Sequence, residues 1–134
     1  MNKEIIIVLI ATRSIPLADG LDALLKAIPQ IEEVQIARNL ENAYSKIKDG
    51  KPQIILIDSV LLGSNPEVAL EKIQTLSPTT QRVLLVDDVL EVNLMPKYAE
   101  AILIKGISPS VVATIVTNLF VINGEENELN DSNE

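Results

Sequence analysis

Apolar runs and amphipathic stretches alternate along this chain. After Glu4 the residues are apolar through Ala11, the continuous pattern of a strand buried on both faces. From Pro16 to Ile28, the residues Leu17, Leu21, Leu24, Leu25 and Ile28 fall at helical spacing. Pro16 suits a first helical turn, and Pro29 closes the segment. Val34 to Ala37 predicts a short second strand. Asn39 is placed to cap a helix using Leu40, Ala43, Tyr44 and Ile47, ended by Asp49-Gly50-Lys51-Pro52. Gln53 to Asp58 is the most strand-like run of all. A loop, Ser59 to Asn65, leads to a helix capped by Asn65-Pro66-Glu67, with Ala69, Leu70, Ile73 and Leu76 on its apolar face. Arg82 to Val86 predicts a fourth strand, closed by Asp87-Asp88. Val89 to Tyr98 is interrupted by Pro96 and has room for barely two helical turns. Glu100 to Ile104 is a fifth strand, and Ser108-Pro109 opens a last helix running to about Val121.

Five strands, each followed by a helix, predict an α/β domain: a doubly wound (βα)5 parallel sheet covered on both faces. Residues 1–121 form that domain. Asp58 and Lys105 each end an apolar run with a charge, which puts both at the carboxyl edge of the sheet, where such folds place their ligands.

Composition removes several chemistries. There is no cysteine and no histidine, so disulfides, thiolate or zinc sites and His-based acid–base catalysis are excluded. No Gly-x-Ser-x-Gly elbow is present, which argues against a hydrolase. The core must be Ile, Leu, Val and Ala, because aromatics are only 2% of the chain. That scarcity also argues against a stacking surface for single-stranded nucleic acid. Net charge is −8. Five of the 19 acids lie beyond Ile122, leaving 14 against 11 bases in the body. An acidic body repels phosphate backbones, so direct nucleic-acid binding is not expected. Residues 122–134 read as an acidic, structureless tail or linker. The run Ile5 to Ala11 is too short to span a membrane, and no signal-peptide cleavage pattern follows it. The expected location is cytoplasmic.

In order and spacing, five pieces resemble the receiver domain of two-component response regulators. They are Ile5 to Ile10, Gly20 to Leu25, Pro52 to Asp58, Arg82 to Val86, and Leu103-Ile104-Lys105-Gly106-Ile107-Ser108-Pro109. The resemblance implies the CheY-like, flavodoxin-like strand order 2-1-3-4-5. It also implies roles. Asp58 holds the phosphoacceptor position and Lys105 that of the lysine contacting the phosphoryl oxygens. Other positions depart from the family. Thr12 and Arg13 stand where an acidic pair holds Mg²⁺. Asp87 replaces a Ser or Thr that bonds the phosphoryl group, Ile102 an aromatic switch residue, and Gly106 a proline. Mg²⁺ wants octahedral oxygen ligands, and phosphoryl transfer relies on the metal to neutralise charge. Arg13 places a fixed positive charge there instead. The resemblance therefore implies a degenerate receiver, or pseudo-receiver, that retains the fold and has lost or impaired phosphorylation.

The expected function is a non-enzymatic, phosphorylation-independent signalling or dimerisation module without a cofactor. Its partners would be a second copy, a sensor kinase or an output domain. In a second reading a sensor kinase phosphorylates Asp58, with Arg13 serving for the metal or Mg²⁺ bound. A third is a small-ligand module using the crevice above Thr12, Asp58, Asp87 and Lys105. The first loop, Ala11-Thr12-Arg13-Ser14, lacks a glycine-rich cradle, which disfavours nucleotides. Asp58, Asp87 and Asp88 together form a minor candidate for a new cation site, against the plainer reading that Asp58 is ion-paired with Lys105 or Arg13. From Ser108 to Gly124 there is no charge, and apolar residues cover more than one stripe. A homodimer surface through Val112, Val116 and Phe120 is therefore expected, the bland alternative being a well-buried helix.

Overall fold

A computed structural model describes residues 5–88 and 99–132, with side chains to residue 120. The strands are β1 (Ile6–Ala11), β2 (Ile31–Ala37), β3 (Ile54–Asp58), β4 (Gln81–Val86) and β5 (Ala101–Ile104). The helices are α1 (Ile15–Lys26), α2 (Leu40–Gly50), α3 (Pro66–Leu76) and α4 (Pro109–Ser132), with a 3-10 turn at Ser59–Leu62. All pairings are parallel, and the strand order is β2-β1-β3-β4-β5, as the resemblance implied. The segment Val89 to Tyr98, where the short fourth helix was expected, lies outside the described residues.

The apolar runs fold this way because alternate residues of each central strand feed two separate cores. Val8, Ile10, Ile54, Leu56, Val83, Leu85 and Leu103 pack with Leu21 and Leu25 of α1 and Val112 and Val116 of α4. Leu9, Ile55, Ile57, Leu84 and Val86 pack with Ala43 and Ile47 of α2 and Leu70 and Ile73 of α3. All five β3 residues are buried. Asn39 caps α2 as expected, its Oδ1 accepting from the Asn42 N–H at 2.7 Å. Ser14 does the same for α1, through Leu17 N–H at 3.2 Å.

Several elements differ from the sequence pattern by more than a residue or two at their ends, or in how they are capped. β2 begins at Ile31, not Val34. It is an edge strand, and exposed Glu32 and Glu33 interrupt its apolar signal, as charges on sheet edges commonly do. Asn65 makes no side-chain cap on α3; Pro66 at the first turn marks that start instead. The expected loop after β3 begins with the 3-10 turn. The last helix does not stop near Val121 but runs to Ser132, so residues 122–132 are helical backbone rather than a structureless tail. Glu is a good helix former, and the acidic run offers no proline to stop it.

At the amino edge of the sheet, Arg82 is 6% exposed. Its guanidinium meets Glu100 through Nη2 (2.8 Å to Oε2) and Nε (3.2 Å to Oε1), while Nη1 donates to the Leu70 carbonyl at 3.2 Å. This pair ties β4 to the start of β5 and to α3. Burial raises the Glu100 pKa, but the Arg82 hydrogen bonds outweigh it and the carboxyl is held below its ordinary value.

Candidate functional site

Four polar residues stand at the carboxyl edge, and strand register brings them together. Ala11 is opposite Ile57, so Thr12 is level with Asp58. Val86 is opposite Ile104, so Asp87 is level with Lys105. By alternation each extends a row that faces α1 and α4: Thr12 follows Val8 and Ile10, Asp58 follows Ile54 and Leu56, Asp87 follows Val83 and Leu85, and Lys105 follows Leu103.

Asp58 is 5% exposed, and both its oxygens are engaged. Its Oδ2 accepts from the Thr12 hydroxyl at 2.7 Å. Its Oδ1 accepts from the Val60 N–H at 3.0 Å, the cap of the 3-10 turn. The same oxygen lies 2.5 Å from Lys105 Nζ. Burial raises the Asp58 pKa, yet the bonds from Lys105, Thr12 and Val60 win, and the carboxyl is held below its ordinary value. Lys105 also reaches Asp87 Oδ1 at 3.0 Å. Burial lowers the ammonium pKa, but the two carboxylates overcome this and raise it. Both partners are therefore ionised across the neutral range.

Thr12 is 1% exposed, and both its N–H and its hydroxyl are bonded. Its N–H donates to the Ala37 carbonyl at 3.0 Å, and its Oγ1 accepts from the Ser14 N–H at 3.1 Å. A short relay thus runs from the capped start of α1 through Thr12 to Asp58. Nothing in the sequence pattern signals this role, since Thr12 stands out there only as a missing acid. Arg13, expected to supply the positive charge, is exposed and forms no ion pair with Asp58. The cation that meets Asp58 is Lys105 alone among the described residues.

On this geometry the comparisons with known proteins bear directly. No protein-family model matches the chain, and no curated protein matches it. Solved structures do. The signal receiver domain of a protein assigned as a Luxo repressor from Vibrio parahaemolyticus superposes with a TM-score of 0.79 at 24% identity, covering 94% of this chain and 98% of that one. A CheY-like response regulator receiver domain from Methanospirillum hungatei JF-1 gives 0.75 at 21%, covering 91% and 99%. A response regulator receiver modulated diguanylate cyclase from Pelobacter carbinolicus gives 0.76 at 14%, covering 92% and 99%.

The chain has the receiver-domain fold.

The receiver fold implies Mg²⁺ at this edge, and the donors here do not fit it. Mg²⁺ demands near-octahedral oxygen ligation. Thr12 offers a neutral hydroxyl already bonded to Asp58 and to the Ser14 N–H, Arg13 offers no oxygen, and the Lys105 ammonium bridges Asp58 and Asp87. Among the described residues no group of three His, Cys, Asp or Glu side chains could hold a metal ion, so Asp58, Asp87 and Asp88 do not assemble the alternative site.

The expected partner face is also rearranged. Val112 is 5% exposed and Val116 0%; both are core residues packed against the sheet. Phe120 is half-buried on the same cluster. The first turns of α4, Pro109 to Phe120, carry no charge, and Val112 and Val116 there face the sheet. Among the residues of α4 whose side chains are described, the apolar one left most open is Val111, at 38%. Among the described residues no helix is long and apolar enough to cross a membrane.

Proposed function

We propose that this chain is a receiver-like signalling module that acts by protein contact and not by accepting a phosphoryl group. The observation that carries this reading is that both carboxylate oxygens of Asp58 are engaged by protein donors. Thr12, Val60 and Lys105 direct three donors at its two oxygens. A phosphoacceptor needs a free oxygen for attack and a metal to neutralise the transferring oxygens. Here one oxygen is held by a neutral hydroxyl in place of an acidic metal ligand. The module is non-enzymatic and cytoplasmic, and its partners are a kinase, an output domain or a second copy. Domain 1–121 carries the contact surfaces.

A second reading keeps Asp58 as phosphoacceptor. One observation favours it: Asp58 and Lys105 retain the pairing and strand-end positions that the chemistry uses.

Incubation with acetyl phosphate and Mg²⁺, followed by intact-mass measurement, tests the choice. The expected result is an unchanged mass. A stoichiometric phosphoryl adduct that disappears in Asp58→Asn overturns the first reading and establishes the second.

A further inference from the structure

Lys105 belongs to two places at once. Its ammonium lies in the polar cluster, and the same residue lines a cleft of about 510 Å³ between α1 and α4. Pro16, Leu17 and Gly20 of α1 form one wall of that cleft. Leu103 forms part of the floor, and Ile107 and Val112 part of the other wall. The second wall hangs on the turn that follows β5. That turn is held by few backbone bonds: Lys105 N–H to the Val86 carbonyl (2.8 Å) and Ile107 N–H to the Ile104 carbonyl (3.1 Å). Between them Gly106 has φ +87°, a conformation open mainly to glycine, so the centre of the bend has no side chain of its own.

We propose that the Asp58–Lys105–Asp87 bridge is a latch that sets the position of the 105–107 turn, and through it the shape of the α1–α4 cleft. The two arms of the latch differ. The inner carboxylate, Asp58, is buried and fixed by Thr12 and Val60. The outer carboxylate, Asp87, has a side chain 59% exposed. A charged group arriving from solvent can compete for Lys105 only at the outer arm. Such competition loosens the turn while the inner arm keeps the lysine tethered. The polar edge and the apolar cleft thereby become two readouts of one side chain. This inference does not depend on whether Asp58 accepts a phosphoryl group, so it fails separately from the function proposed above.

Amide hydrogen exchange, followed residue by residue by NMR on the full chain, tests it. The Ile107, Val111 and Val112 amides report on the turn and the start of α4, where their bonds to the Ile104 and Ser108 carbonyls lie. The Lys51 amide, bonded to the Ile47 carbonyl on the opposite face, is the reference. In Lys105→Met the three reporters should exchange roughly tenfold faster, the scale expected when a charged hydrogen bond stops supporting a local unit, with Lys51 unchanged. Asp87→Asn, a mild change at an exposed position, should give a smaller rise confined to the same amides. Lys105→Arg should restore protection. Wild-type rates in Lys105→Met, an equal rise at Lys51, or failure of Lys105→Arg to rescue overturns the latch. Should Lys105→Met not fold, Asp87→Asn decides alone: an unchanged Ile107 rate overturns it.

Discussion

The hydroxyl of Thr12 donates to Oδ2 of Asp58 at 2.7 Å, joining residues 46 positions apart in sequence. The bond is buried, and the same hydroxyl oxygen accepts the Ser14 N–H. Thr12→Val keeps the shape and removes both functions. It should cost about 1–3 kcal/mol, because a buried carboxylate oxygen and an N–H lose their partner. Urea unfolding checks this. In an Asp58→Asn background the cost of Thr12→Val should fall, and the double-mutant cycle should show coupling. Additive costs would mean that the bond contributes nothing specific.

The acid limb of stability should carry the signature of two carboxylates. The folded pKa of Asp58 lies below its ordinary 3.8, and that of Glu100 below its ordinary 4.5. A depressed pKa contributes stability above the unfolded value, and that contribution is lost as pH falls through the folded one. Stability should therefore be level near neutrality and drop below about pH 4.5, continuing below 3.8. Denaturant midpoints across this range measure it. Asp58→Asn should flatten the lower part of the drop and Glu100→Gln the upper part. Lys105 works in the opposite direction. Its raised pKa contributes stability below 10.5 that is lost as pH rises through the folded value.

Removing one member of the Arg82–Glu100 pair should be unequal. Arg82 is 7% exposed in its side chain, whereas Glu100 is 38% exposed. Glu100→Gln leaves a buried guanidinium with one neutral partner and the Leu70 carbonyl. Arg82→Met leaves a carboxylate that solvent can reach. Thermal unfolding should show the larger loss for Glu100→Gln, on the order of 2 kcal/mol. The reverse order would show that the side chain of Arg82 matters mainly for packing.

Two glycines should respond in opposite senses. Gly20 lies within α1, and a Cβ there would meet nothing within 4 Å. Gly20→Ala should stabilise by roughly 0.5–1 kcal/mol. Gly106 sits at φ +87°, so Gly106→Ala should destabilise by about 1–2 kcal/mol although its Cβ also has open space. Gly106→Pro should be worse, since proline is confined near φ −65°. Melting temperatures of the three variants separate backbone strain from crowding.

Val116→Glu should unfold the domain instead of merely dissociating an oligomer, because Val116 is 0% exposed in the core. Val111→Glu, at a 38% exposed position, should leave the fold intact. Circular dichroism with light scattering distinguishes the two. A folded, monomeric Val116→Glu would mean that the valine is not buried as described.

The fold was legible because its signals are local. Continuous apolar runs marked β1, β3 and β4, and proline or an Asn cap marked helix starts. β2 was read short because Glu32 and Glu33 break the pattern on an edge that water reaches. The site was half legible. Asp58 and Lys105 announce themselves as charges that end apolar runs. What Thr12 does depends on which neighbour its hydroxyl meets, and that is fixed by register between distant strands. The spacing gives the position of Arg13 without its direction: Thr12 takes the inward position and Arg13 is turned to solvent. The last helix is ambiguous in the same way. Absence of charge signals coverage, and the sequence alone does not say whether the sheet or another protein supplies it.

The shared parity of Thr12, Asp58, Asp87 and Lys105 has an evolutionary consequence. Asp58 is the last residue of its strand and the other three lie one step past theirs, so replacing any of them changes the chemistry at the edge and leaves the apolar rows between the helices in place. Inserting or deleting a single residue within β3 is a different matter: the pleat would swing the carboxylate to the opposite layer of helices. Lineages carrying this scaffold can therefore gain or lose activity by exchange of letters, and are barred from doing so by changes of length.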